Sequence, residues 1–276
     1  MEKFLKFYLS AISIFLFFSC ENPNSKLTLE ERRKRAEEVF ENGSHLWQGS
    51  PKSMTRIEKA ISIDSTYAEA LRELSVAYLK RGMPHKWKPQ FDRAVRHDPK
   101  TWVPWRGYLY LYFYRDYEKA LADFNASDTL TPHLDYPQGH SVDFWRGITY
   151  LGLKDHANSI AYWNKHIVKE SEDSGEDWVE LEAFLYRGIA YYESDNFEKA
   201  LEDFDKLIHY FKSSADAKFY KAKILLSMGE KKEALKLVNE AIEDYDVGYY
   251  NHYHYVELLR QIYPEDLENL KSQINS

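Results

Sequence analysis

Between residues 37 and 246 apolar side chains return every three or four positions, break for a few polar residues, and begin again. Leu185-Tyr186-Arg187-Gly188-Ile189-Ala190-Tyr191-Tyr192 is followed by Asn196-Phe197-Glu198-Lys199-Ala200-Leu201-Glu202-Asp203-Phe204. Trp105-Arg106-Gly107 leads in the same way to Asp116-Tyr117-Glu118-Lys119-Ala120-Leu121-Ala122-Asp123-Phe124, and Phe144-Trp145-Arg146-Gly147-Ile148-Thr149-Tyr150 to Ser159-Ile160-Ala161-Tyr162-Trp163. A recurrence near 3.6 residues predicts helices with one apolar face. Here two helices form a unit and the unit repeats. One landmark on the second helix passes through Ala60, Ala94, Ser127, His166, Leu207 and Ala241, at spacings of 34, 33, 39, 41 and 34 residues. The two long spacings hold insertions, Thr131–His140 and Ser171–Asp177, predicted to lie along one edge of the stack.

The repeat resembles the tetratricopeptide repeat, with its large aromatic, glycine and tyrosine on the first helix and alanine, aromatic and closing proline on the second. Phe184, Gly188, Tyr191, Ala200 and Phe204 fall in that register. So do Leu71, Leu74, Tyr78, Phe91, Ala94 and Pro99; Ala120, Phe124 and Pro132; and Lys218, Ala222, Leu225, Gly229, Ala234 and Ala241. Arg stands where Leu is usual before the glycine. The resemblance implies an all-α fold: a right-handed α-solenoid of about six helix pairs over residues 28–248, closed by C-terminal capping helices over 249–276. Val247–Ile262 is expected to form one cap, and Pro264-Glu265-Asp266 to open a final short helix. Small residues such as Gly107, Gly147, Gly188 and Ala222 let paired helices approach, and aromatics such as Phe124, Trp163 and Phe204 fill the space between neighbouring pairs. The resemblance also implies a partner groove on the first helices. Carried over position by position, it comprises Tyr108, Phe144, Ile148, Leu185, Ile189, Tyr192, Phe219 and Lys223, with Tyr249, Tyr250 and Tyr253 of the C-terminal segment able to fold back into it.

The first twenty residues follow a different pattern. Lys3 and Lys6 precede the uncharged run Phe7–Phe18, then Ser19, Cys20 and the polar Glu21-Asn22-Pro23-Asn24-Ser25. Twelve residues cannot cross a hydrocarbon core of roughly 30 Å as a helix, so the stretch reads as a secretory signal peptide. Phe17-Phe18-Ser19-Cys20 resembles the lipobox of bacterial lipoproteins, although Leu is commoner at position 17 and Phe18 is bulky. The resemblance implies lipidation of Cys20, a signal peptide at 1–20 and a tether at 21–27. Cys20 is the single cysteine, which excludes an internal disulfide and a cysteine-based metal site.

Composition narrows the function further. A net charge of −7 without a basic stripe argues against nucleic acid as a partner. There is no Gly-rich phosphate loop and no nucleophile elbow. His252 and His254 point about 200° apart on a helix and cannot share a metal there. His133, Asp135, His140 and Asp143 gather near a predicted loop, where a metal is one reading and solvated capping residues another. Arg106, Arg146 and Arg187 recur at one repeat position, either as a ladder for carboxylates or phosphates or as partners of acids on neighbouring helices. The 22 Tyr and 7 Trp allow a glycan-binding surface lipoprotein as an alternative, and an enzyme whose site assembles from distant residues is a further one. The expectation is a non-catalytic scaffold or adaptor with no cofactor and no metal. It is lipid-anchored in a bacterial cell envelope, at the outer membrane, and binds other proteins or peptides there.

Overall fold

The computed structural model describes residues 27–254 and 256–276. The signal peptide, Cys20 and all of the tether but Leu27 lie outside these residues. Thirteen α-helices fall among the described residues, in two compact units that divide between His97 and Asp98.

The first unit holds α1 (Leu29–Ser44), α2 (Pro51–Ile63), α3 (Ala68–Lys80) and α4 (Pro84–His97), with α1 packed on α2 and α3 on α4. Its first helix starts where the side chains can satisfy the free N–H groups. Glu31 N–H donates to Thr28 Oγ1 at 3.2 Å, and Thr28 N–H donates to Glu31 Oε2 at 2.8 Å. Ser50 caps α2, and Pro51 sits at its first position, where no N–H is needed. Phe40, Met54, Ile57, Ile63 and Leu74 share one core, with the Tyr67 ring edge-on to Phe40 at 5.4 Å.

The second unit continues with α5 (Pro99–Leu109), α6 (Tyr117–Leu130), α7 (Val142–Gly152), α8 (His156–Ser174), α9 (Leu181–Glu193), α10 (Phe197–Tyr210), α11 (Ala215–Ser227), α12 (Lys231–Asp246) and α13 (Pro264–Asn275). A π-helical turn, Tyr110–Tyr114, extends α5. The tight turn inside each pair is built one way. A left-handed residue, Arg115, Lys154, Asp195 or Gly229, precedes the N-cap of the second helix. Asp116, Asp155 and Asn196 then each accept the N–H three residues on.

Pairing rests on close approach. A Cβ added at Gly107 would lie 2.8 Å from the Phe124 ring, at Gly147 2.5 Å from Trp163, and at Gly188 2.6 Å from Phe204. Each ring therefore lies directly on glycine backbone. Two of these rings also face the next pair: Trp163 stacks on Tyr186 at 5.9 Å and Phe204 on Tyr220 at 5.7 Å. All three rings are fully buried. A layer of aromatics thus closes three of the pairs and, in two of them, seats the next.

Three expectations about the tail and the insertions meet the structure differently. Pro264 opens α13 as expected, with Tyr263 N–H donating to Asp266 Oδ2 at 2.9 Å, and α13 packs on α12 and α11. Val247–Ile262, expected to be a capping helix, is not helical in its described residues. It is held by long-range bonds instead, set out below. The second insertion is partly helical: α8 runs on through Ser171–Ser174, and a 3-10 turn at Glu176–Trp178 follows Gly175. The two insertions meet, since His140 at the end of the first donates from Nδ1 to Glu180, just after the second, at 2.9 Å. They share an edge.

In an exposed helix Gly→Ala stabilises by roughly 1 kcal/mol. At Gly188 the sign should reverse. The new methyl must displace Phe204, and overpacking of this kind costs about 1–3 kcal/mol. Urea unfolding of Gly188→Ala checks this; a variant more stable than wild type would refute the contact.

Candidate functional site

The eight positions expected to line a groove separate into small groups. Tyr108 and Phe144 both lie against the Trp145 ring, at 5.1 and 4.9 Å. Ile148 and Ile189 are buried, and Leu185 borders a cavity. Tyr192, Phe219 and Lys223 come together between α9 and α11. The Lys223 ammonium stands 4.9 Å from the Tyr192 ring centre, 5.3 Å from Phe219 and 5.5 Å from Tyr220. Of the eight, only Tyr192 and Lys223 keep partial exposure.

The segment after α12 crosses this same face as an extended strap. Ala215 N–H at the start of α11 donates to Tyr249 O at 3.0 Å. Asn251 N–H donates to Asp216 Oδ2 at 2.8 Å, and Asn251 Nδ2 donates to Tyr186 Oη on α9 at 3.1 Å. Tyr253 reaches Tyr112 of the π-helical turn, ring centres 6.2 Å apart, and Arg115 beside that turn donates to Glu257 O. The strap so touches the first helices of three pairs. Arg260, in a left-handed conformation, then grips Glu193 at the end of α9 through Nε and Nη2 at 2.5 and 2.9 Å. Leu258, Leu259 and Ile262 are buried around that fork. The hydrogen bond to Glu193, ahead of opposing burial, holds the Arg260 side chain charged; burial raises the Glu193 carboxyl, but Arg260 and His156 outweigh it and lower the group.

Beneath the root of the strap lies a cavity of about 290 Å³, bounded by α9, the end of α10, the start of α11 and residues 248–253. The Asp216 carboxyl on its wall is 3% exposed. Burial pushes this group up to about 7, against the hydrogen bonds from Asn251 N–H and its own N–H and the field of His252.

The recurring arginines pair with acids of neighbouring helices. Arg106 forks onto Asp123 at 2.8 and 2.7 Å, and Arg187 onto Asp203 at 2.8 and 2.6 Å. Arg146 finds Tyr162 where the other two units carry Asp, so it turns to Asp128 and Asp143, both at 2.7 Å. Of His133, Asp135, His140 and Asp143 the first two pair, His133 Nε2 standing 3.6 Å from Asp135 Oδ1, while Asp143 is taken by Arg146 and Lys165, and His140 by Glu180. His252 and His254 lie on the non-helical strap, ring centres 5.5 Å apart, with His252 Nδ1 2.9 Å from Tyr250 O. Trp178, just after the second insertion, and Tyr136 on the first are exposed aromatics of that edge.

One polar cluster was not singled out from the sequence. Burial favours the protonated form of Glu180, but contacts with His140 and His166 outweigh it and bring the carboxyl down to about 2. His166 Nε2 stands 3.5 Å from Glu180, and Ser141 Oγ is 3.1 Å from His166 Nδ1 while accepting Phe144 N–H to cap α7. The available signal was a histidine in a landmark slot that elsewhere holds Ala, Ser or Leu.

Two outcomes follow. Arg260→Ala removes the fork that ends the strap, so limited chymotrypsin should cut at Tyr249, Tyr250 or Tyr253 several-fold faster while helicity stays the same; unchanged cleavage would show the strap needs no such anchor. Glu180 has a folded pKa below its unfolded value, so its stabilisation is present above pH 4.5 and lost as pH falls towards 2. Denaturant midpoints across that window should slope for wild type and flatten in Glu180→Gln.

Residues 185–248, from α9 to the end of α12, match the tetratricopeptide repeat family. No curated protein matches the chain. Among solved structures, PilF of Pseudomonas aeruginosa is similar with a TM-score of 0.59 at 17% identity, covering 78% of this chain and 94% of that one. PilW, described as a widely conserved type IV pilus biogenesis factor, gives 0.61 at 15% identity, covering 87% and 96%. A tetratricopeptide repeat protein from Parabacteroides merdae gives 0.53 at 16% identity, covering 92% and 87%. At these identities the likeness is one of fold: this chain is an all-helical protein of paired helices, similar to tetratricopeptide repeat structures, with the repeat itself matched over α9–α12.

Proposed function

We propose that this chain is a non-catalytic protein–protein interaction scaffold, fastened to a bacterial membrane by a lipid on Cys20. The observation that carries the interaction reading is the strap. A tyrosine-rich stretch of extended chain already lies on the first helices, held by main-chain bonds at Tyr249 and Asn251 and by ring contacts. A face that takes its own chain this way has the donors, carboxylates and ring surfaces to take a partner's. The partner engages the half-exposed rim at Tyr192 and Lys223, with Phe219 behind it. Tyr108, Phe144, Ile148, Leu185 and Ile189 form the packed floor that keeps this rim in place.

The anchor reading rests on the short apolar run and on Cys20 as the single cysteine, after Ser19. A diacyl anchor is sufficient for stable attachment where a single chain is marginal. The fold likeness to PilF and PilW suggests a bacterial cell envelope, at the outer membrane, and partners among envelope proteins.

The test uses the full chain in its native membrane, with a photoreactive amino acid in place of Tyr192 or Lys223. Both positions should yield a common protein adduct, and a probe at exposed Glu243 on α12 should not. Adducts from Glu243 alone would move the interaction off this face. In parallel, Cys20→Ser should abolish acyl labelling and release the protein from membranes; a wild-type protein with no acyl group that washes off would end the anchor reading.

A further inference from the structure

The cavity under the strap has walls of one chemical character. Its rings come from Tyr249, Tyr250, His252 and Tyr253 of the strap and from Phe211 at the end of α10. Its acids are Glu182, which is solvent-exposed, and the buried Asp216, and no lysine or arginine borders it. We propose that this cavity is a binding site for the ammonium group of a lysine presented by a partner protein, held between the Asp216 carboxylate and the tyrosine rings of the strap. The proposal rests on the scaffold reading above and names the partner's chemistry.

Three features support it. Asp216 is a buried acid that, among the described residues, pairs with no lysine or arginine: its hydrogen bonds are the Asn251 N–H on Oδ2 at 2.8 Å and its own N–H, with His252 near it. A buried carboxyl in that position resists ionisation, and burial indeed holds it up at about 7. A cation entering the cavity supplies the missing countercharge. Second, ring faces attract cations, most strongly where water is excluded, and about 290 Å³ is room for one side chain. Third, the oxygen taken by Asn251 disfavours a guanidinium, whose fork seeks both carboxylate oxygens at once, whereas an ammonium needs one.

Binding should then depend on pH in a fixed direction. The groups within electrostatic reach of Asp216 are His252 on the strap, Tyr186 on α9 and Tyr220 on α11, with Glu182 at the same cavity. The two tyrosines stay neutral, because burial raises both. Asp216 must ionise to hold the cation, so binding strengthens as pH rises.

The full chain in detergent is titrated with Nα-acetyl-lysine methylamide and with its Nε-acetylated counterpart, followed by ligand-observed NMR. The free ammonium compound should bind about tenfold more tightly at pH 8 than at pH 6, the change in ionised fraction of a group titrating near 7. The acetylated compound should not bind. Asp216→Asn, its fold checked by circular dichroism, should remove both the binding and the pH dependence, and Glu182→Gln should weaken binding while leaving the pH dependence. Equal binding of the acetylated compound, no binding to wild type at either pH, or unchanged binding in Asp216→Asn would overturn the site. Carbodiimide coupling in native membranes should further join Glu182 to a partner lysine. Binding of the free amine without any such protein adduct overturns the assignment to a partner and leaves a small amine as the ligand. Adducts from Tyr192 and Lys223 that persist when the lysine probe fails would leave the scaffold reading standing and remove only this one.

Discussion

A glycine on one helix and an aromatic ring on the next set the geometry of the second unit. Gly107 meets Phe124, Gly147 meets Trp163 and Gly188 meets Phe204, at distances where even a methyl would collide. Without a side chain between them the two helices close, and the ring lies flat enough to present its other face outward. Tyr186 and Tyr220 of the following pairs stack on that face. Each pair alone would leave a large ring in water, so stacking is enforced rather than optional. The residues beside the contact answer to the same geometry. Arg precedes the glycine and Asp precedes the ring in two units, which places guanidinium and carboxylate within a bidentate pair. Where Tyr162 replaces that Asp, Arg146 takes acids elsewhere rather than remain buried without a counter-ion.

The strap depends on this layer. Tyr186 stacks on Trp163 with its ring and accepts Asn251 with its hydroxyl, so the residue that seats one helix pair on the next also receives the tail. The strap is tied at its root by Tyr249 and Asn251, and at its far end by Arg260 on Glu193. At its root it borders a cavity whose single buried acid, among the described residues, pairs with no lysine or arginine. A binding face and its internal occupant are thus made from one set of side chains, and whatever a partner contacts there, it contacts beside or through the strap.

The insertions show how the repeat absorbs extra length. Both fall between pairs, where lengthening a connection costs little. They are joined by Glu180, which draws His140 from one and His166 from the helix before the other. Trp145 adds a tie by donating its Nε1–H to Pro137 O at 2.9 Å. The result is an ordered edge with Trp178 exposed on it.

The sequence alone determined what is periodic and local. Helix spacing placed the pairs, and the glycine and aromatic positions identified the closing contacts, because each depends on neighbours within one repeat. The arginine positions were visible, but the acids they chose lie 16 to 18 positions away on the paired or preceding helix, with Asp143, three positions from Arg146, beside them. Cys20 and its surroundings remain a reading of sequence. What only tertiary structure decided is the tail. Tyr249, Tyr250 and Tyr253 are as compatible with a helix face as with an extended strap; Gly248, left-handed in the structure, marks the end of α12 but leaves the conformation of the residues after it open. The choice was made by partners far along the chain: Asp216, 35 residues before Asn251, and Tyr186, 65 before it. The same packing buried six of the eight groove positions that the repeat register had marked. Register fixes which helix face a residue occupies, while its exposure depends on everything else that comes to lie there.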